Sequence, residues 1–187
     1  MDNNPFTDEK MITKMLDMWG EKSYDIDATI LEPTCGVGNF LVEALKRKFQ
    51  TIELLYNNEQ DYETAIYRAL SSMKGIDIIQ DCVETTKQRL GKIVTSYYEK
   101  RFDKKLNSKY KVILNRNIIN KDILQYNTNK HFNIIIGNPP YWIDKKPVYK
   151  DILKKISEYS FDTLMMIIPK EGTNDRRLLW VKEIEWY

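Results

Sequence analysis

The chain has 187 residues, enough for one domain with a full core and too few for two comfortable ones. Its hydrophobic (42%) and charged (30%) fractions are those of an ordinary globular protein, and a formal net charge of +2 means that any polyanion must be met by a local patch. No apolar run reaches membrane-spanning length, no leader pattern opens the chain, Cys35 and Cys82 lack metal spacing, and His131 is the only histidine; a cytoplasmic protein without membrane partner or bound metal is expected.

Thr7 is placed to cap a first helix, with Asp8 and Glu9 near its positive end. Met11, Ile12, Met15, Leu16 and Trp19 give that helix one apolar face, and Gly20 marks its stop. Residues 28–31 read as a short buried strand that runs into Pro33 and a glycine turn, and Phe40, Leu41, Ala44 and Leu45 carry a helix beyond it. Residues 61–70 read as helix and 75–79 as a second strand; Val83, Leu90, Ile93, Val94 and Tyr97 then mark a long amphipathic helix. The stretch 100–111 sets Lys100, Arg101, Lys104, Lys105, Lys109 and Lys111 against Asp103 alone. It is read as a solvated insertion between a helix and a strand, with a phosphate-contacting loop as the rival reading. Ile118 and Ile119 suggest a third strand, residues 132–136 a fourth and 163–168 a fifth. The tail 173–187, with Arg176, Arg177, Leu178, Leu179, Val181 and Ile184, reads as one final helix that leaves a sheet edge open. His131 is read as a surface or strand-edge residue. Strands alternating with helices imply a doubly wound, mostly parallel α/β sheet, whose ligands sit beyond the carboxyl ends of the strands.

The most specific signal follows the fourth strand: Asn138-Pro139-Pro140-Tyr141. Two consecutive prolines fix two φ angles, making a stiff turn that offers carbonyl oxygens without competing N–H groups. The side-chain oxygen of Asn138 and the carbonyl of Pro139 can accept both hydrogens of a planar, delocalised amine such as the exocyclic nitrogen of adenine. That favours a pyramidal nitrogen and stabilises the positive charge that grows as it attacks a sulfonium methyl group, so no strong base is needed. Tyr141 offers a face on which a base taken out of the duplex can stack.

Upstream, LEPTCGVGNFL links the first strand to a helix. Gly36 and Gly38 allow close backbone approach to a ligand, and the turn lacks the Gly-Lys-Ser/Thr of a P-loop. Glu32 would repel phosphate but suits the ammonium of a methionine moiety. Asp77, in GIDII, sits where an acid accepts ribose hydroxyls, a solvated strand-end carboxylate being the alternative. Asp122, in NKDIL, is placed either to accept from an adenine amino group, with Ile123 against the ring, or simply to cap a helix. Cys35 is read as a small loop residue, since nothing nearby would activate it.

In combination these motifs resemble the S-adenosylmethionine-dependent methyltransferases that modify the amino group of DNA adenine, in the class whose cofactor motifs come first and whose recognition region comes last. The resemblance implies a Rossmann-like methyltransferase fold. It assigns S-adenosylmethionine to Thr7, Glu32, Thr34, Cys35, Gly36, Gly38, Asp77, Ile78, Asp122 and Ile123, and catalysis to Asn138, Pro139, Pro140 and Tyr141. It implies DNA as partner, with the target adenine flipped out. The chain is read as one catalytic domain over 1–187 without a separate recognition domain, so the chain is a fragment, or a protein partner or second copy supplies recognition. Competing readings are a methyltransferase of cytosine N4, RNA adenine or a protein glutamine amide, and a non-catalytic domain that depends on a partner. The loop 142–150, with Lys145, Lys146 and Lys150, is expected to contact phosphates beside the flipped base rather than serve as a plain connection.

Overall fold

Side chains that accept from unpaired backbone N–H groups set several helix starts, and glycine sets a stop. In the computed structural model, which describes residues 7–143, 145–169 and 176–182, the first helix α1 (Glu9–Trp19) is capped by Asp8, which accepts from the Lys10 N–H, and Gly20 at φ +74° ends it. Thr7 is therefore not the cap. Asp8, in extended conformation, stands one residue closer, and the Thr7 hydroxyl is engaged elsewhere, by a side chain 131 residues away.

Strand β1 (Ile30–Glu32) leads into helix α2 (Asn39–Leu55), and α3 (Glu59–Ser71) leads into β2 (Met73–Asp77). Helices α4 (Gln80–Phe102) and α5 (Lys109–Asn117) precede β3 (Ile118–Asn120). Strand β4 (His131–Gly137), helix α6 (Val148–Ile156), β5 (Ser160–Pro169) and β6 (Arg176–Lys182) complete the series. The sheet order is β3-β2-β1-β4-β5-β6, with five parallel strands and β6 antiparallel to β5. This is the expected α/β architecture, and the switch point lies between β1 and β4.

Two expectations are corrected. The tail does not form a final helix: residues 176–182 pair with β5 from Arg176 opposite Pro169 to Lys182 opposite Thr163. The edge of β5 offers a row of unpaired backbone groups, and a short run rich in Leu, Trp and Val satisfies them as a strand. The edge expected to stay open is thus covered. The basic stretch also conceals helix α5, whose Ile113 and Leu114 are buried against α3 and α4. Its charged residues face solvent, and Lys104 pairs with Glu59. Helix α4 starts at the carboxyl end of the sheet and rises roughly 33 Å over its length, so 100–108 lies far from the switch point. The solvated reading of this stretch holds.

Side chains alternate across the strands. Ile30, Ile134, Ile136, Met165 and Ile167 join the core beneath α1 to α5, whereas Leu31, Ile135, Leu164, Met166 and Ile168 pack with α6. The sheet is wound on both faces, but unevenly. At its amino ends His131 bonds both Ser160 and Asp162 at 2.8 Å, and Asn133 links Thr29 to Asp162. His131 is an exposed strand-edge residue, as read from sequence, and belongs to a network that fastens β1, β4 and β5. Among the described residues no helix is long and apolar enough to cross a membrane.

One buried cation holds the loop that feeds β1. Lys48, on α2, is fully buried and donates to the carbonyls of Asp25 (2.6 Å), Ile26 (3.3 Å) and Ala28 (2.8 Å). Burial pushes its ammonium down to about 7, against the pull of Asp25 and Asp27. Lys48→Met would leave three carbonyls without their donor and should cost about 2 kcal/mol net of the relieved charge burial. The expected result in a thermal melt is a drop of roughly 4–8 °C; an unchanged Tm would deny the clamp its role.

Candidate active site

Two turns meet at the switch point. The first runs from the end of β1 to α2, and its course depends on Gly36 (φ +51°) and Gly38 (φ +76°), a region that residues with a Cβ rarely enter. A Cβ on Gly38 would also lie 2.5 Å from Thr86 Cγ2, whereas one on Gly36 would meet open space. Helix α4 braces this turn from behind: Thr86 Oγ1 donates to Gly36 O (2.9 Å), and Arg89 donates to Asn39 Oδ1 (2.7 Å) and to Val37 O. Asp77, at the end of β2, accepts from the Gly36 N–H with Oδ2 (2.7 Å) and from the Ile79 N–H with Oδ1 (2.9 Å). It is 9% exposed, which excludes the solvated reading, and each oxygen keeps a further lone pair for a ligand hydroxyl.

Glu32 is buried behind this turn, its Oε2 3.4 Å from the Leu41 N–H in the first turn of α2. Burial raises its carboxyl well above the usual range; the Leu41 N–H and Arg89 oppose the shift, and the Asp77 carboxylate adds to it. Burial likewise pushes the Cys35 thiol far up, so Cys35 is a packed loop residue and no nucleophile. The Thr34 hydroxyl is buried without a hydrogen-bond partner among the described residues.

The second turn leaves β4. Asn138 Nδ2 donates to Thr7 Oγ1 (3.1 Å), and Asn138 Oδ1 accepts from the Tyr141 hydroxyl (2.9 Å). The Thr7 contact holds the carboxamide with its oxygen on the Tyr141 side. The Tyr141 ring meets Tyr149 edge-on at 6.4 Å, which ties the turn to α6. Asp122 does cap a short helical turn, accepting from the Leu124 N–H (2.9 Å), and Ile123 beside it is 5% exposed in the α6-side core.

Both turns open into one cavity of about 980 Å³, near the upper end for small-molecule sites. Thr7, Glu32, Thr34, Cys35, Gly36, Asp77, Ile78, Asp122, Ile123 and all of Asn138 to Tyr141 line it; Gly38 does not, because it packs against Thr86 behind the loop. Ile78 is 68% exposed and so presents a bare apolar face there. Thr86 and Arg89 were not found from sequence, although three-residue spacing places them on one side of α4; nor was Lys121, which also lines the cavity, as do Trp142 and Ile143 from the loop singled out after the second turn. No group of His, Cys, Asp and Glu among the described residues is arranged to hold a metal ion.

The family model of the Eco57I restriction-modification methylases matches residues 17–170. No curated protein matches the chain in sequence. Among solved structures, HI0767 of Haemophilus influenzae, a candidate methylase, superposes with a TM-score of 0.53 at 14% identity, over 88% of this chain and 82% of its own. SMU.472, a candidate methyltransferase in complex with SAH, gives 0.53 at 15% identity, over 96% and 53%. A predicted N6-adenine-specific DNA methylase of Listeria monocytogenes gives 0.50 at 15% identity, over 91% and 46%. The chain therefore spans about half the length of the last two. These likenesses establish the Rossmann-like methyltransferase fold.

The state of Glu32 has a measurable consequence. A carboxyl whose folded pKa is raised stabilises the fold fully below its unfolded value near 4.5, and that contribution is lost as pH climbs through the folded value. Glu32→Gln stays neutral throughout. Without ligand it should melt a few degrees above the parent at pH 8 and level with it at pH 4. Equal melting temperatures at both pH values would mean that Glu32 is not desolvated.

Proposed function

The chain belongs to the Eco57I restriction-modification methylase family, and from that premise we propose that it transfers a methyl group from S-adenosylmethionine to the N6 amino group of adenine in DNA. Membership makes it a methyltransferase of the restriction-modification type with S-adenosylmethionine as cofactor; the acceptor is our reading. The observation that carries it is the Asn138–Tyr141 turn, whose amide and carbonyls share a cavity with the glycine turn and Asp77.

The residues present fit the cofactor. Glu32 would face the methionine ammonium, and Thr7 and the Thr34 hydroxyl, which has no hydrogen-bond partner among the described residues, would meet its polar end. Asp77 would accept from the ribose, Ile78 and Ile123 would enclose the adenine, Asp122 would accept from its amino group, and the open side of Gly36 leaves room beside the backbone. The group supplies an electrophilic methyl on a sulfonium centre. Everything else is asked of the protein. Asn138 Oδ1 and the Pro139 carbonyl accept the two amino hydrogens of the base and stabilise charge growing on nitrogen. Asn138 Oδ1 already accepts from Tyr141, so the base takes the second lone pair or the tyrosine hydroxyl swings aside as its ring stacks on the base. The amine proton leaves to solvent after transfer.

We take 1–187 as a single catalytic domain. The Listeria relative is named for the same acceptor, but at 15% identity that likeness carries the fold, and the acceptor rests on the site.

Tritiated transfer to mixed-sequence DNA, read out by nucleoside mass spectrometry, should give N6-methyladenine. Asn138→Ala should lower the rate by about a hundredfold or more while cofactor binding persists. Label appearing instead in N4-methylcytosine, RNA or protein glutamine would replace the proposed acceptor. Lys145→Ala with Lys146→Ala should weaken DNA binding most at low salt, and affinity unchanged there would exclude phosphate contacts by this loop.

A further inference from the structure

Immediately past Tyr141 the chain places Trp142 and Ile143 in solvent, 58% and 53% exposed, although both line the mouth of the cavity. Nothing in their packing explains two large apolar side chains at that point, since the cores on both faces of the sheet close without them. Hydrogen bonds tie the backbone on either side of this point. Ile143 and Lys146 exchange two hydrogen bonds, Ile143 N–H to Lys146 O (3.1 Å) and Lys146 N–H to Ile143 O (2.9 Å). Lys145 sits at φ +66°, and Val148 N–H also donates to Lys146 O, which joins the turn to the start of α6. Ile143 is thereby tied to Lys146 and, through it, to the start of α6, with Trp142 beside it. Lys145 and Lys146 are exposed and form no ion pair with a carboxylate among the described residues.

Apolar surface flanked by exposed lysines, at the rim of a cavity large enough to admit a base, matches a polyanion that has apolar faces inside it. A duplex from which one base has been removed is such a partner. The vacated position exposes the faces of the neighbouring base pairs, and the unstacking must be offset. Branched aliphatic side chains enter base steps as wedges, and aromatic rings stack on any base face without regard to sequence. Resting on the proposed adenine acceptor, we infer that Trp142 and Ile143 enter the duplex at the target position and occupy the space that the extruded base leaves. Lys145 and Lys146 hold the adjoining phosphates. The turn thus stabilises the opened duplex, while the Asn138–Tyr141 segment one residue earlier receives the base.

The test is binding of the whole chain to mixed-sequence duplexes that are fully paired or carry one abasic position, followed by fluorescence polarisation. The unaltered protein should prefer the abasic duplex about tenfold or more, because the gap is already open. Trp142→Ala with Ile143→Ala should bring the preference below about twofold with affinity for the paired duplex largely kept, and Trp142→Phe should restore most of it. Circular dichroism would establish that the variants are folded. No preference in the unaltered protein, or one that survives the double substitution, overturns the inference. Methyl transfer by the unaltered protein to single-stranded DNA reports on the reaction separately. Transfer without the preference removes the wedge alone; the preference without transfer removes the proposed reaction and leaves the wedge as a binding device.

Discussion

One carboxylate joins the parts from which this site is made. Asp77 ends β2, accepts from the backbone of the glycine turn that follows β1, and accepts again from the backbone that opens α4. Parallel pairing alone aligns the strand ends but leaves the loops beyond them free. The two bonds from Asp77 remove that freedom, and Thr86 and Arg89 finish the bracing from α4. In the proposed role of Asp77 as ribose acceptor, the geometry of the cavity and the hold on the ribose would depend on the same two oxygens.

The other half of the site is tied down differently. Asn138 is held by Thr7, just ahead of the first helix, and by Tyr141 within its own turn. Each contact involves a neutral donor and acceptor and is worth about 1 kcal/mol. The glycine turn is thus fastened by a carboxylate and the Asn138–Tyr141 turn by weaker neutral bonds, which leaves the second turn the easier of the two to shift.

The sheet and the cavity were largely legible in the sequence because their signals are local. Alternating apolar runs mark the strands, and Gly36, Gly38 and the paired prolines mark the turns at strand ends. What was misread depends on partners distant in sequence. Thr7 looks like a cap until Asn138 claims its hydroxyl. Residues 176–182 have apolar positions compatible with a helix, and only the unsatisfied edge of β5 makes them a strand. Helix α5 is masked by its lysines, since Ile113 and Leu114 give it only a narrow apolar stripe. Asp77 and Asp122 each had two readings on local grounds. Burial excludes the solvated reading of the first, while the second both caps a turn and lines the cavity.

The sheet order also bears on how the chain comes off the ribosome. Strand β1 lies between β2 and β4, yet β4 is synthesised after β2, α4, α5 and β3. The nascent chain therefore carries β1 with one side paired and the other bare until residues 134 and 135 emerge. During that interval the glycine turn and Asp77 are already present, but the asparagine that completes the site is not. Translation pausing in this window would lengthen the life of an unpaired central strand, and the growing polypeptide is then most exposed to chaperone capture and to mispairing with its neighbours on a polysome.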